Sequence, residues 1–362
     1  MKVLFLASYP QEAQSTRYRI TQYLNYLERN GCQCSVRPFL LTEAYQTLYA
    51  RDSLAYKVLT FSTSMLRLLG QTVGAGKYDV VFVQREAMLM GPPMVEWWIS
   101  HVAKKPLIFD LDDAIFIPYE SLTYGKIANW LRFPDKYEQI IRMSSQVIAG
   151  NEYLRDYAIK LNPNVTVIPT VVHTDLFMPL SDRKMPERPV LGWIGSHSTT
   201  RYLKMLLPVL DRLAKEYDFV IKVVGASEPV KIQGVECINH AWQLDREVED
   251  FQSLDIGLYP LPDDPWARGK CGLKAIQYMA VGIPAVCSAV GVNKEIVRDG
   301  VNGFLAHSQE DWVEKLSILI ENPELRIRFG KSGRAFVEER YSLKAQAPKL
   351  LDVLRKVRYC SH

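Results

Sequence analysis

The most constraining feature of this sequence is a short stretch, residues 269–284, that lies between two apolar runs. The runs cover residues 256–258 and 285–287, and short uniformly apolar runs are typical of buried strands. The stretch follows a loop rich in Pro and Asp and ends at Gly282 and Pro284, which break helices. This arrangement predicts a short helix between two strands, with its N-terminus at the top of a sheet.

The start of this predicted helix suits a phosphate group. The first backbone N–H groups of a helix have no partner within the helix and carry partial positive charge. Gly269 and Gly272 allow a close backbone approach, and Lys270 and Lys274 add two cations at a spacing of one helical turn. Charge-assisted hydrogen bonds from the lysines would hold the anion more firmly than the helix dipole. The alternative is that both lysines form a solvated helix face.

The residues that follow resemble a known enzyme family. Residues 277–284 read Gln-Tyr-Met-Ala-Val-Gly-Ile-Pro, and Gly-Val-Asn-Lys-Glu-Ile-Val and Asp-Gly-Val-Asn-Gly-Phe follow at 291–297 and 299–304. This series resembles the donor-binding half of retaining glycosyltransferases of family 4, with a weaker match in the first half of the chain. The resemblance implies the GT-B fold, in which two doubly wound Rossmann-like α/β domains face a cleft.

The chain departs from this family at two positions. The family usually carries two glutamates with seven residues between them, and Gly269 and Gln277 occupy those places here. Some branches resemble this chain in keeping Lys-Cys-x-x-Lys and Gln-Tyr-Met. The resemblance therefore implies that Lys270 and Lys274 hold the diphosphate beside Gly272 and Leu273, that Gln277 binds the ribose, and that Gly269 makes no side-chain contact with the sugar.

Composition and charge exclude several other classes of protein. The chain has 362 residues, of which 48% are hydrophobic and 23% charged, as in ordinary globular proteins. A net charge of +4 is too small for a dedicated nucleic-acid binder, so we expect small anions as partners and no nucleic acid. The six cysteines show neither CxxC spacing nor the density of a disulfide framework, which favours a reducing compartment.

The distribution of apolar residues bears on location. The N-terminal apolar run is too short for a signal peptide, and no segment approaches the roughly 20 apolar residues that span a bilayer. We therefore expect a cytoplasmic protein. Residues 57–69 mix basic and apolar side chains, which leaves open a peripheral contact at the inner face of the membrane or a helix packed on the sheet.

Charged residues at two places in the first half are candidates for an acceptor site. Arg17 and Arg19 fall in the first turn of a predicted helix, where cations are unfavourable unless an anion offsets them. They face either an anionic ligand or solvent. Arg85 and Glu86 follow a predicted strand at residues 79–83, and ligands gather at the carboxyl edge of such sheets.

Three carboxylates, Asp110, Asp112 and Asp113, follow a predicted strand at residues 106–109. Such a cluster raises the pKa values of its members unless it is neutralised, which favours a functional role. Four interpretations stay open. They are a metal-binding Asp-x-Asp, the Asp-x-Asp of a haloacid-dehalogenase-type phosphatase, the family 4 position beside the donor sugar, and a structural role. The resemblance favours the third, with Asp112 and Asp113 as catalytic residues.

The second half offers a further phosphate-type loop. A predicted strand at residues 190–194 ends in Gly195 and Ser196, and Arg201 lies in the helix that follows. The family usually has an Arg directly after this Gly and a Lys five residues later, so Ser196 and Arg201 fill those places. Trp242 lies in the region where relatives hold the nucleotide base, and it either stacks on the base or belongs to the core.

We therefore expect four segments. They are an acceptor-side domain at 1–180, a linker at 181–189, a nucleotide-sugar domain at 190–344 and a C-terminal helix at 345–362 that crosses back to the first domain.

The resemblance implies a retaining transferase that moves a sugar from a UDP- or GDP-sugar to a carbohydrate, lipid-linked or small-molecule acceptor. No metal or other cofactor is expected. The pathway would be polysaccharide, cell-envelope or glycoconjugate biosynthesis. The alternatives are a related binding protein without turnover, or a phosphatase that uses Asp110.

Overall fold

The structure, a computed structural model, describes residues 1–47, 54–117, 133, 135–181, 183 and 186–359. The chain forms two compact units. The first contains Met1–Thr170, Gly269–Cys271 and Gln346–His362, and the second contains Val171–Arg268 and Gly272–Ala345. Residues 182, 184 and 185 of the predicted linker lie outside the described residues.

The first unit is built on a parallel sheet of six described strands in the order β2-β1-β3-β4-β5-β6. Its strands are β1 Lys2–Ala7, β2 Gln33–Pro38, β3 Val80–Gln84, β4 Leu107–Leu111, β5 Gln146–Ala149 and β6 Val165–Val167. Strands β1, β3, β4 and β5 are almost wholly buried, as expected for a parallel sheet covered by helices on both faces. The chain leaves β1 toward β2 and returns on its other side at β3, which makes a topological switch point.

The second unit repeats this architecture in the order β12-β11-β10-β7-β8-β9, again with parallel pairing. Its strands are β7 Val190–Ile194, β8 Val220–Val224, β9 Glu236–His240, β10 Ile256–Tyr259, β11 Ala285–Ser288 and β12 Gly303–Ala306. The switch point lies between β7 and β10. The predicted fold class, two doubly wound α/β sheets, is therefore confirmed.

Helices connect the strands in both units. Among the described residues of the first unit they are Gln14–Thr16, Arg17–Thr21, Gln22–Arg29, Thr42–Thr47, Leu54–Thr72, Val73–Lys77, Met94–Trp97, Trp98–Val102, Lys136–Met143 and Glu152–Ala158. In the second they are His197–Thr199, Thr200–Lys204, Leu207–Leu213, Glu247–Gln252, Pro265–Arg268, Leu273–Ala280, Asn293–Ile296, Gln309–Glu321 and Pro323–Arg340. Helix Leu343–Tyr359 begins in the second unit and belongs to the first from Gln346 onward.

Tyr278 fills the switch point of the second sheet. Strands β7 and β10 pair only at Leu191 with Ile256 and at Gly192 with Gly257. Beyond these pairs the Tyr278 hydroxyl accepts a hydrogen bond from the Ile194 backbone N–H at 3.2 Å, and it lies 3.3 Å from the carbonyl oxygens of Gly192 and Leu258. A Cβ on Gly257 would lie 2.3 Å from the Tyr278 ring, so the ring can lie there only because Gly257 has no side chain.

Two element boundaries differ from the sequence-based expectation in ways that matter for the site. Strand β4 continues through Asp110 and Leu111 rather than ending at Phe109, because the Asp110 carboxylate is neutralised inside the fold by Arg19. The helix predicted near residue 269 begins only at Leu273, after Gly272 with a φ of 66°. Lys270 therefore precedes the helix and is not one helical turn from Lys274.

Candidate functional site

Four charged side chains cluster at the carboxyl edge of the first sheet. Arg85 follows β3, and Asp112 and Asp113 follow β4. Arg85 holds Asp112 with two hydrogen bonds, from Nε to Oδ1 at 2.6 Å and from Nη2 to Oδ2 at 3.2 Å. The same guanidinium lies 3.7 Å from Asp113 Oδ2, and Lys270 Nζ lies 3.9 Å from that oxygen. The structure thus groups Arg85, Asp112, Asp113 and Lys270 as a charge-balanced set.

Arg85 is held firmly in this set. Its φ of 62° is uncommon for a residue other than glycine, and its backbone N–H donates to the Asp110 carbonyl at 2.9 Å. Burial alone would lower the pKa of Arg85, but Asp112 and Asp113 outweigh that effect and the net shift is upward. The guanidinium therefore stays charged and fixes the orientation of both carboxylates.

The segment that carries Lys270 is fastened to the first unit. Asn151, directly after β5, caps the helix Glu152–Ala158 through its oxygen and donates its amide N–H groups to the carbonyls of Gly269 at 3.1 Å and Lys270 at 3.0 Å. The Cys271 thiol donates to the Asp112 carbonyl at 3.1 Å. Burial raises the pKa of Cys271 to about 12, so the thiol keeps its proton at neutral pH.

Gly269 has no room for a side chain. A Cβ at this position would lie 2.4 Å from the Ala114 Cβ and 3.0 Å from the Ala114 backbone nitrogen. A glutamate here would displace the segment that carries Lys270. The expectation that Gly269 offers no side-chain contact thus has a steric basis.

Arg19 and Asp110 form a buried ion pair rather than a ligand site. Arg19 Nε donates to Asp110 Oδ2 at 2.9 Å, Nη1 donates to the Ile168 carbonyl at 2.9 Å, and Nη2 pairs with Asp110 Oδ1. Both side chains are almost completely buried. The acceptor role of Arg19 stays a prediction. The same burial speaks against the phosphatase alternative, because its nucleophile Asp110 would lie inside the fold.

Glu86, which was also predicted on the acceptor side, lies inside the fold, and its acceptor role stays a prediction. Its carboxylate is buried, lies 2.8 Å from Lys136 Nζ and accepts a hydrogen bond from the Tyr137 hydroxyl at 3.2 Å. Lys136 is itself fully buried and donates to the Met88 carbonyl. Arg17 is half-buried, with its guanidinium carbon 4.9 Å from the centre of the Tyr18 ring, and its role stays a prediction.

In the second unit, glycines bring three strand ends close together. Gly195 follows β7, Gly225 follows β8 with a φ of 78°, and Trp242 lies just after β9. A Cβ on Gly225 would lie 2.4 Å from the Gly195 carbonyl oxygen and 3.2 Å from the Trp242 Cβ. The half-buried Trp242 therefore starts close to Gly225 and to the Gly195 carbonyl, at the loop that was predicted to bind phosphate.

Ser196 and Arg201 lie on that loop and on the helix after it. Ser196 forms a reciprocal capping box with Thr199, whose hydroxyl accepts from the Ser196 backbone N–H at 3.0 Å. Arg201 is exposed, and its Nη2 donates to the Tyr202 hydroxyl at 3.1 Å. The structure thus places a cation on helix Thr200–Lys204, shortly after Gly195, as the sequence predicted.

Lys274 lies in the first turn of helix Leu273–Ala280, directly after half-buried Leu273. Its Nζ donates to Gln277 Oε1 at 2.9 Å and lies 5.1 Å from the centre of the Phe251 ring. Gly272 fits before this helix because a Cβ there would lie 2.2 Å from Ile296 Cδ1. The helix N-terminus and Lys274 therefore form one positively charged feature.

Gln277 does not present its amide to a ligand. The side chain is fully buried, and besides Lys274 it contacts Glu247, with Nε2 3.4 Å from Oε1. The predicted contact of Gln277 with a ribose stays a prediction, and in this structure the side chain orients Lys274. Sequence reasoning missed Glu247, a buried carboxylate on helix Glu247–Gln252, and Asn151. The place of Asn151 directly after a strand was the signal that could have found it.

Two features of the described residues bear on metal ions and membranes as partners. Within residues 1–47, 54–117, 135–181 and 186–359, no three His, Cys, Asp or Glu side chains are arranged to hold a metal ion. In the part of the chain that the structure describes, no helix combines the length and the apolar character needed to cross a bilayer.

Known proteins resemble this chain in sequence and in fold. Residues 188–322 match the family model of Glycosyl transferases group 1. A D-inositol 3-phosphate glycosyltransferase of Xylanimonas cellulosilytica is 23% identical over 335 residues, which cover 84% of this chain and 78% of that protein.

Two solved structures share the whole architecture. Sucrose-phosphate synthase from Thermosynechococcus elongatus superposes with a TM-score of 0.72 at 14% identity and 99% coverage of both chains. Alr3699/HepE of Anabaena, in complex with UDP-glucose, gives a TM-score of 0.69 at 16% identity over 98% of this chain and 100% of that one. The chain thus has the fold of GT-B glycosyltransferases, and the family match and the relative support a glycosyltransferase of this type.

Proposed function

We propose that this chain is a retaining glycosyltransferase that moves a sugar from a UDP- or GDP-sugar to a carbohydrate, lipid-linked or small-molecule acceptor. The observation that carries the proposal is the match of residues 188–322 to Glycosyl transferases group 1. This segment contains the glycine-bordered strand ends at Gly195 and Gly225 and the positive helix terminus at Lys274. We place the reaction in the cytoplasm, in the synthesis of a polysaccharide, cell-envelope component or glycoconjugate.

The donor diphosphate is assigned to the carboxyl edge of the second sheet. Backbone N–H groups at the start of helix Leu273–Ala280 and the ammonium group of Lys274 supply donors for its oxygens. Arg201 supplies a further cation, and the Trp242 indole offers a face on which a base stacks. The UDP-glucose bound to the Anabaena protein of the same fold supports a nucleotide sugar as the ligand.

The chemistry assigned to these groups is stabilisation of a leaving group. The bond between the anomeric carbon and the diphosphate breaks, and the acceptor oxygen attacks from the face that the diphosphate leaves. The departing diphosphate takes the acceptor proton. Preorganised donors at Lys274 and the helix terminus stabilise the charge that develops on the diphosphate. Such electrostatic stabilisation is usually the largest contribution to the rate enhancement. In this proposal Lys270 and Lys274 both supply positive charge for the leaving diphosphate, and no metal ion is needed.

The sugar and acceptor are assigned to the charged set of the first unit. Asp112 is nearly buried and fixed by both of its hydrogen bonds to Arg85. Asp113 is more accessible, and its Oδ2 is flanked by Arg85 and Lys270. We therefore assign Asp113 to hydrogen bonding with a sugar hydroxyl and Asp112 to holding Arg85 in place.

A second candidate is a nucleotide-binding protein of this fold without turnover. The observation that favours it is the buried state of Gln277, which occupies a place where the family usually has a glutamate. In this alternative Lys274 still binds a diphosphate, but no sugar is transferred.

Thermal unfolding with a panel of nucleoside diphosphates and nucleotide sugars, in the presence of chelator, tests the donor assignment. A ligand at a hundred times its Kd stabilises the folded chain by about 2.7 kcal/mol. We expect a rise in Tm with one base series, lost in Lys274→Ala and kept in Lys331→Ala, which removes an exposed lysine of the same unit. Unchanged melting with every nucleotide would reject the donor assignment, and binding without product formation would favour the second candidate.

A further inference from the structure

One helical segment of the first unit is apolar on both of its faces. Helices Met94–Trp97 and Trp98–Val102 are continuous, and Val95 and Ile99 are buried against the sheet. The opposite face carries Met94, Trp97, Trp98 and Val102, each with 37% to 51% of its surface exposed. These positions fall on one side of a helix because Trp97, Trp98 and Val102 lie three, four and eight residues after Met94. A surface helix normally shows polar residues on this side.

A second helix on the same face of the sheet also exposes apolar side chains. Helix Leu54–Thr72 exposes Val58, Leu59 and Leu66, with 57% to 67% of their surfaces accessible. Both helices pack on the same core cluster, the longer one through Leu68 and the shorter one through Val95 and Ile99. They therefore cover the same face of the sheet. We call the seven exposed residues of these two helices the outer apolar face.

The charges around this face are of one sign. Residues 58–77 contain no Asp or Glu, and residues 88–109 contain one, Glu96, whose side chain is buried. The same segments carry Arg67, Lys77, Lys104 and Lys105. Lys104 is exposed and follows the tryptophan-bearing helix directly. The segments that carry the outer apolar face thus contribute cations and no exposed carboxylates.

We propose that the outer apolar face docks on an anionic lipid surface. Tryptophan side chains favour the boundary between headgroups and acyl chains, because the ring is apolar and the indole N–H needs a polar partner. Trp97 is already stacked on His101 with ring centres 5.5 Å apart, which fixes its orientation. Lysines beside an interfacial helix add an attraction to anionic headgroups.

The sequence left open whether residues 57–69 contact a membrane or pack on the sheet, and the structure adds Trp97 and Trp98 on the same face of the sheet. This inference does not depend on the proposed transferase activity.

Flotation with vesicles tests the proposal. We expect the full chain to float with phosphatidylcholine vesicles that contain phosphatidylglycerol and to stay in the bottom fraction with phosphatidylcholine alone. The double variant Trp97→Ser/Trp98→Ser should lower the vesicle partition coefficient at least on the order of tenfold. Lys104→Glu/Lys105→Glu should produce a similar loss, and wild-type binding should weaken as salt is added.

Matched changes in the second unit serve as controls. Val301→Ser/Ile327→Ser removes two exposed apolar side chains, and Lys215→Glu/Lys331→Glu reverses two exposed lysines. Both should float like wild type, and thermal melts should show that every variant is folded. Wild type that does not float, or tryptophan variants that float like wild type, would overturn the proposal. A wild-type dimer that Trp97→Ser/Trp98→Ser converts to a monomer would also overturn it, because the face would then bind protein.

Discussion

Arg85 and Glu86 are neighbours at the end of β3, yet their side chains have different surroundings. Arg85 reaches Asp112 and Asp113 at the sheet edge, whereas Glu86 turns into the interior and pairs with Lys136. The sequence places both at the carboxyl edge but does not state which one points inward. The partner that decides this, Lys136, lies fifty residues later in the chain and shows no pattern that marks a buried lysine.

Removing the Glu86 carboxylate should therefore lower the free energy of unfolding rather than act directly on the transfer reaction. Glu86→Ala leaves the buried Lys136 ammonium without its carboxylate, which costs about 3–5 kcal/mol of unfolding free energy. Urea unfolding followed by circular dichroism measures this loss. Glu339→Ala removes an exposed carboxylate as the control and should change the free energy by about 0.5 kcal/mol or less. A Glu86→Ala variant as stable as the control would contradict the structural role.

Glu96 provides a prediction of pH dependence. Burial raises its pKa above the value in the unfolded chain, although Lys136 and the Ala87 backbone N–H, which donates at 2.8 Å, act in the opposite direction. The folded chain therefore keeps this proton over a pH range in which the unfolded chain has lost it. Its contribution to stability is greatest at low pH and falls as the pH rises through that range.

Glu96→Gln replaces the titrating group with a neutral side chain of similar shape. We expect the difference in unfolding free energy, variant minus wild type, to become more favourable to the variant between pH 4.5 and pH 7.5, because only wild type carries the cost of the buried charge. Parallel urea titrations at several pH values give this difference. A difference in unfolding free energy that is constant with pH would show that folding does not change the pKa of Glu96.

At the scale of elements, local patterns predicted most strands and helices because their periodicity and stop signals lie within a few residues. Strand β7 and the break between helices Pro323–Arg340 and Leu343–Tyr359 are examples. The start of helix Leu273–Ala280 was predicted too early, because Asn151 holds the carbonyls of Gly269 and Lys270 in a non-helical segment. Such a contact between residues far apart in sequence has no local signature.

Tyr278 shows how one side chain links three elements. Its hydroxyl bonds the end of β7 and lies beside the carbonyls of β7 and β10 where these strands diverge. Tyr278→Phe would leave the Ile194 N–H buried without a partner, which costs about 1–3 kcal/mol. Chemical denaturation measures the change, and Tyr359→Phe, at an exposed tyrosine, should be neutral. Equal stability of the two variants would contradict the proposed role of the hydroxyl.

At the scale of the whole molecule, the two lysines that seemed to form one feature belong to different units. Lys270 lies in the first unit beside Asp113, and Lys274 begins a helix of the second. In our proposal both lysines stabilise the transition state. Lys270→Ala and Lys274→Ala should therefore each lower kcat/KM by an amount that corresponds to a loss of about 2–3 kcal/mol of transition-state stabilisation. Lys331→Ala is the matched control. Steady-state kinetics with the stabilising nucleotide sugar decides the matter, and activity within about twofold of wild type in both variants would refute the assignment.

The proposed activity is retaining transfer from a nucleotide sugar. Time-resolved proton NMR of the anomeric signal shows whether the transferred sugar keeps its configuration. The chain is incubated with the nucleotide sugar that raises its Tm, in chelator, with and without candidate acceptors. We expect release of the nucleoside diphosphate and a first-formed sugar product with the anomeric configuration of the donor. A product of inverted configuration would contradict the mechanism, and binding without any release would contradict the enzymatic function itself.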